Sequence, residues 1–177
     1  MSRPRLARLV VALLAALAVG GTTVAPAGAS DATLRAAIKK QDRASDKALK
    51  KIEEPAQDSP TFAADYATFV EQVNGVLTDY RKGIRKERAS TAKGRKARTL
   101  MISSITTLQE TLRTMAEVLA RTPNNGEAQA SPEDQKRLED ALEEFADAAK
   151  DNVRAYKLLG MKPPKGAKVQ PATETSA

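Results

Sequence analysis

The chain of 177 residues contains no Cys, no His and no Trp, and its 29 Lys and Arg against 22 Asp and Glu leave a formal charge of +7. Without Cys there is no disulfide framework, thiol nucleophile or zinc ribbon. Without His there is no Ser-His-Asp triad, no imidazole acid–base group and no Glu-x-x-His di-iron site.

Arg3, Arg5 and Arg8 form a basic leader without acids, Leu9 to Val19 is an unbroken apolar run, and Gly20-Gly21 ends it. Ala27-Gly28-Ala29 then places small residues before a cut at Ser30, so residues 1–29 carry the three-part pattern of a secretory signal peptide. The apolar run is too short to cross a ~30 Å hydrocarbon core as a helix. No Cys follows it to carry a lipid anchor. The expected product is secreted, with no transmembrane segment. Cleavage removes the three Arg and leaves 26 basic and 22 acidic side chains, an excess of +4.

Four helical segments follow. The first, 31–54, has a thin face of Leu34, Ile38, Gln41, Ala48 and Ile52 before Pro55. Ser59 as N-cap and Pro60 at the first helical position predict the start of the second, 60–89. Its apolar residues, Phe62, Tyr66, Phe69, Val73, Val76 and Tyr80, are spaced alternately by four and three. The third, 95–121, repeats that spacing in Met101, Ile105, Leu108, Leu112, Met115 and Leu119, and ends before Pro123-Asn124-Asn125-Gly126. Ser131-Pro132-Glu133-Asp134 opens the fourth, 132–159, with a face of Leu138, Leu142, Phe145, Ala149, Val153 and Tyr156, and Gly160 suits a C′ position. Residues 161–177 hold three Pro and no apolar period, and read as a disordered tail.

No segment alternates with period 2. The expected fold is therefore all-α: an antiparallel up-down-up-down four-helix bundle over residues 30–160 with coiled-coil-like seams. The second seam stops near Tyr80 and the third restarts near Met101, which predicts a bend around Ser90–Gly94. One continuous helix forming a dimer is the alternative, since no proline enforces the bend.

Charge is distributed unevenly. Residues 81–98 hold nine basic side chains and one acid, residues 150–168 add +5 and residues 30–43 add +2. Residues 53–65 carry −4 and residues 110–147 carry −6. On the expected bundle these sums gather at two opposite ends, about 40 Å apart for helices of this length. Basic residues closing a helix are stabilising, which accounts for Arg81, Lys82, Arg85, Lys86 and Arg88. The helix dipole does not account for Lys93, Arg95, Lys96 and Arg98, at the start of the next helix. These nine residues are the candidate anion-binding set.

Other chemistry has less support. Glu139, Asp140, Glu143, Glu144 and Asp147 point mostly to water on a helix whose apolar face is elsewhere, with Lys136 and Asp140 as an i, i+4 pair. Met101 and Met115 belong to the core by spacing, and Asn152 sits beside the core stripe. No catalytic residue, metal site or cofactor is expected. The basic cluster lacks interleaved aromatics beyond Tyr80 for stacking on single strands, and export makes nucleic acid a poor partner. Anionic lipid, an acidic wall polymer or another copy of the chain fit better.

The Ala-rich composition, the Ala-x-Ala cut and the Pro/Thr tail resemble small secreted helical proteins of high-GC Gram-positive bacteria, a likeness without a defining motif. The expected function is non-enzymatic: an extracellular or cell-envelope interaction module with a basic pole. The alternative is a self-associating structural protein, a coiled-coil dimer with no specific ligand.

Overall fold

The computed structural model describes residues 31–56, 59–122 and 130–164, so the expected signal peptide and residues 165–177 of the expected tail lie outside the described residues. Four helices make up the fold: α1 (Ala32–Leu49), α2 (Phe62–Lys86), α3 (Ala92–Arg121) and α4 (Pro132–Leu158). No strand occurs among the described residues. None of their helices is long and apolar enough to cross a membrane.

The helix boundaries follow local chemistry, and four of them correct the sequence expectation, α2 ending at Lys86 and not at 89 and α3 starting at Ala92 and not at 95. α1 stops at Leu49, not at residue 54. Its ladder tightens there, Lys51 N–H reaching Ala48 O and Ile52 N–H reaching Leu49 O at 3.1 Å each. Pro55 disfavours helical backbone at the residue before it. α2 starts at Phe62, with Thr61 and not Ser59 as the N-cap residue. Ser59 still organises the start, its Oγ accepting from Thr61 N–H and donating to Asp65. The opening of α4 is as the sequence predicts, with Pro132 in the first turn and Ser131 Oγ accepting from Asp134 N–H at 3.1 Å. Gly160 closes α4 with φ 64°. Met161 N–H reaches back to Tyr156 O and Gly160 N–H to Lys157 O, the paired bonds of a Schellman motif. Packing continues past this cap, with Met161 against the core and Pro164 buried.

The chain does break between α2 and α3, at residues 87–91, and no long continuous helix forms. From the free ends to the turn, the α2–α3 contacts pair Tyr66 with Met115, Asn74 and Thr78 with Gln109, Arg81 with Thr106, and Ile84 with Arg98. On the next seam Thr111 meets Ala141 and Glu117 meets Arg137.

One apolar core draws on all four helices. In α3 all six expected residues are buried. In α2 the buried row runs Tyr66, Val70, Val73, Leu77, Tyr80, Ile84, while Val76 is only half-buried. A straight helix has 3.6 residues per turn, so its core stripe drifts off a strict heptad row toward the following residue. For the same reason the core does not stop at Tyr80. Ile84 and Ala97 are fully buried inside the basic segment. In α4 the ends are buried through Leu138 and Tyr156, and Leu142, Phe145, Ala149 and Val153 between them are half-buried.

Two helical glycines give opposite expectations. A Cβ at Gly75 meets nothing within 4 Å, whereas one at Gly94 would overlap the carboxyl group of Asp31. Gly75→Ala should raise stability in urea denaturation by about 0.5–1 kcal/mol through helix propensity. Gly94→Ala should lower it by about 1–3 kcal/mol despite the same propensity gain, because Asp31 is fixed and has to move.

Candidate functional site

Asp31, at the N-cap position of α1, reaches across to the turn between α2 and α3. Its Oδ1 accepts from Ser90 N–H at 2.8 Å and Thr91 N–H at 3.2 Å, and the Ser90 and Thr91 hydroxyls also donate to the carboxylate. Thr91 in turn caps α3 by accepting from Gly94 N–H at 2.9 Å. The first turn of α3 has no acidic residue of its own, so Asp31 places the negative charge at its positive end. Burial pushes the Asp31 carboxyl up, and the hydrogen bonds from Thr91 and Ser90 outweigh it and hold the group below the ordinary carboxylate value.

The nine candidate cations divide into two groups around this turn. Arg98 donates to Ile84 O and Arg85 O, the last carbonyls of α2. Arg95 donates to Ser90 O at 3.2 Å, and Arg81 donates to Thr106 at 3.1 Å. Arg95 and Arg98 brace the turn, a reason for them that the helix dipole does not supply, while Arg81 ties the body of α2 to α3. Lys82 lies 3.7 Å from Asp79. The remaining five, Arg85, Lys86, Arg88, Lys93 and Lys96, are exposed, and among the described residues their side chains have neither an ion pair nor a hydrogen bond. Arg35 donates to Leu159 O at 3.5 Å, which brings the end of α4, with exposed Arg154 and Lys157, to the same region.

Beneath this end lies a polar group that the sequence reading missed. The hydroxyls of Tyr80 from α2 and Tyr156 from α4 each donate to Asp42 Oδ1 at 2.8 Å, and they lie 3.4 Å from each other. All three residues are buried. Burial pushes the Asp42 carboxyl up, with the hydrogen bonds from Tyr156 and Tyr80 opposing it. Burial likewise raises both phenols, so they remain protonated donors. The sequence signal was the spacing of Asp42 four residues after Ile38, in the row of Leu34 and Ile38. Asn152, beside the core stripe, is only half-buried. Asp42 sets the register of the helices, because a carboxylate shared by two other helices fixes α1 in one position.

The acids of α4 do not converge. Glu139, Asp140, Glu143, Glu144 and Asp147 are exposed, and among the described residues no group of three or more side chains could hold a metal ion. The expected Lys136–Asp140 pair does not form. Arg137 is engaged instead, with Glu117 at 2.9 Å and Asp134 at 3.5 Å. An open groove of about 630 Å³ between α2 and α3 is lined by Val70, Asn74, Gly75 and Ala116 together with two cations and three acids, so it favours neither sign of ligand charge.

The two α1 carboxylates contribute to stability with opposite pH dependence. Folding raises Asp42, so its contribution is full below the unfolded carboxyl value and is lost as pH rises through the folded one. Folding lowers Asp31, so its contribution is present above the unfolded value and is lost as pH falls through the folded one. Asp42→Asn keeps one oxygen for both phenols and should be at least as stable as the parent at pH 7, the difference closing toward acid. Asp42→Ala strands two buried hydroxyls and should cost about 1–3 kcal/mol or more at either pH. Urea titrations at neutral and acid pH measure both effects. No known protein family, curated protein or solved structure matches the chain.

Proposed function

We propose that this chain is an exported up-down-up-down helical bundle that acts by binding, with the turn between α2 and α3 as the surface that meets a phosphate-bearing anionic partner. The antiparallel reading is supported by the order of contacts, which descends α3 as it ascends α2 and descends α4 as it ascends α3. Export is supported by the signal pattern of residues 1–29. The observation that carries the binding reading is the division of the basic cluster. Three arginines are used in holding α2 against α3 and bracing their turn, and five cations around it are exposed and have no ion pair among the described residues.

Arg85 and Lys86 stand in the last turn of α2, where the helix dipole favours them. It does not favour Lys93, which stands in the first turn of α3 and is opposed by it, and it supplies no reason for Lys96 in the next turn. Near an anionic membrane each Lys or Arg contributes about 1 kcal/mol, screened beyond a Debye length of ~8 Å. Five acting together suffice for a reversible, salt-sensitive attachment. Lipid headgroups and acidic wall polymers share the chemistry, and separate arms of one experiment tell them apart.

The purified chain without its leader should bind vesicles containing anionic lipid, or an acidic wall-polymer fraction, and should bind neutral vesicles at least tenfold less. Binding should fall by a further tenfold or more between about 50 and about 500 mM salt. Changing Arg85, Lys86, Arg88, Lys93 and Lys96 together to Ser should abolish binding without loss of helicity. Equal binding to neutral and anionic surfaces, or full retention in the Ser variant, would sink the proposal.

A further inference from the structure

The molecule carries a second patch of exposed charge, of the opposite sign, with Lys150 of the same helix acting on Glu143. Glu139 and Glu143, and Asp140 and Glu144, are two i, i+4 pairs of like charge on the exposed side of α4. Such pairs destabilise the helix that carries them by about 0.2–0.5 kcal/mol each. None of the four takes part in an ion pair among the described residues. The five cations around the α2–α3 turn are likewise without an ion pair among the described residues, and Lys93 is opposed by its own helix dipole.

The two patches cannot relieve each other within one molecule. Thr111 of α3 bonds Ala141 O, which sets the acidic patch at the level of Thr111. Lys96 lies fifteen residues along α3 from Thr111, or about 22 Å at 1.5 Å per residue. The separation exceeds two Debye lengths at physiological salt. Two chains side by side or end to end face no such limit. Five exposed cations on a turn and four exposed carboxylates on a helix face are complementary in sign and close in number.

We propose that the chain self-associates head to tail, the α2–α3 turn of one copy (Arg85, Lys86, Arg88, Lys93, Lys96) seating on the α4 acids (Glu139, Asp140, Glu143, Glu144) of the next. The contact is heterologous, so an open assembly keeps one free patch of each sign at its two ends and grows past two. A coiled-coil dimer would stop at two and would resist salt. The inference uses the same five cations as the proposed binding function, but it does not depend on an external anion. An anionic surface and a second copy compete for the turn, and surface binding disperses the assembly.

The test is sedimentation velocity over a concentration series of the chain without its leader. At low salt the mass should rise with concentration beyond a dimer, and at high salt it should return to the monomer. Glu139→Gln, Asp140→Asn, Glu143→Gln and Glu144→Gln combined relieve repulsion inside α4 and so keep the fold. That variant should be monomeric at low salt while binding anionic vesicles as the parent does. Arg85, Lys86, Arg88, Lys93 and Lys96 changed to Glu, and the four acids changed to Lys, should give two variants that are monomeric alone and associate when mixed. A parent that is monomeric at low salt, association that survives high salt, or a neutralised α4 variant that associates as the parent does would each overturn the proposal. Loss of vesicle binding in the parent would overturn the binding function and leave this inference standing.

Discussion

Asp31 and the turn it holds set the geometry of the basic end. Nothing in residues 81–98 is a proline, and the two glycines there, Gly83 and Gly94, lie inside helices. The local sequence alone would allow α2 to run on into α3. The break falls where a carboxylate from the start of α1 collects two backbone N–H groups and two hydroxyls from Ser90 and Thr91. Gly94 belongs to the same device, because a side chain there would occupy the space of that carboxyl. A contact some sixty positions apart in sequence thus does what a proline or a positive-φ glycine does in other hairpins.

The same helix is held at its middle by a second carboxylate. α1 buries only Leu34 and Ile38 fully among its apolar residues, and at about 1.5–3 kcal/mol for each buried side chain that face is a weak anchor. Asp42 adds an anchor that depends on position. A one-residue slip of α1 would withdraw the acceptor from both Tyr80 and Tyr156 and leave three buried polar groups unpaired. Burying a carboxylate opposes stability, and what it contributes here is a single placement of α1 against α2 and α4. The two acids respond oppositely to pH because one is surrounded by donors at a helix start and the other is desolvated in the core.

Much of this was legible in the residue pattern. Ser131-Pro132 and Gly160 cap α4 where expected, and the α3 seam is buried residue by residue. What failed, failed for stated physical reasons. Reading α2 as a strict heptad misplaced its row by one residue at Val76 and Leu77 and ended the core too early, since the helix is not wound to 3.5 residues per turn. Counting Asp31 and Asp42 as surface charge hid the two contacts that place α1. Their partners, Ser90, Thr91, Tyr80 and Tyr156, are distant in sequence, and a single sequence holds no signal of such pairing. Arg95 and Arg98 were grouped with the lysines between them because charge sums do not distinguish a guanidinium that can reach several carbonyls from an ammonium held in water.

That last distinction reshapes the charge argument. A cluster of nine cations invites explanation as a whole, either as a solvated loop or as a binding surface. In the folded chain it is a composite. Arg95 and Arg98 satisfy carbonyls that the end of α2 and the turn would otherwise leave to water, and Arg81 ties α2 to Thr106 of α3. Removing them would disturb the α2–α3 contact and would say little about ligands. Lys93 and Lys96 make no such bond, and neither do the side chains of Arg85, Lys86 and Arg88, of which Arg85 and Lys86 answer only to the dipole of α2. The case for function rests on that remainder, because among the described residues it makes no ion pair and no side-chain hydrogen bond. Glu139, Asp140, Glu143 and Glu144 of α4 meet the same criterion at the opposite sign. A small net charge therefore conceals two sets of exposed side chains, one basic and one acidic, at different places on the fold.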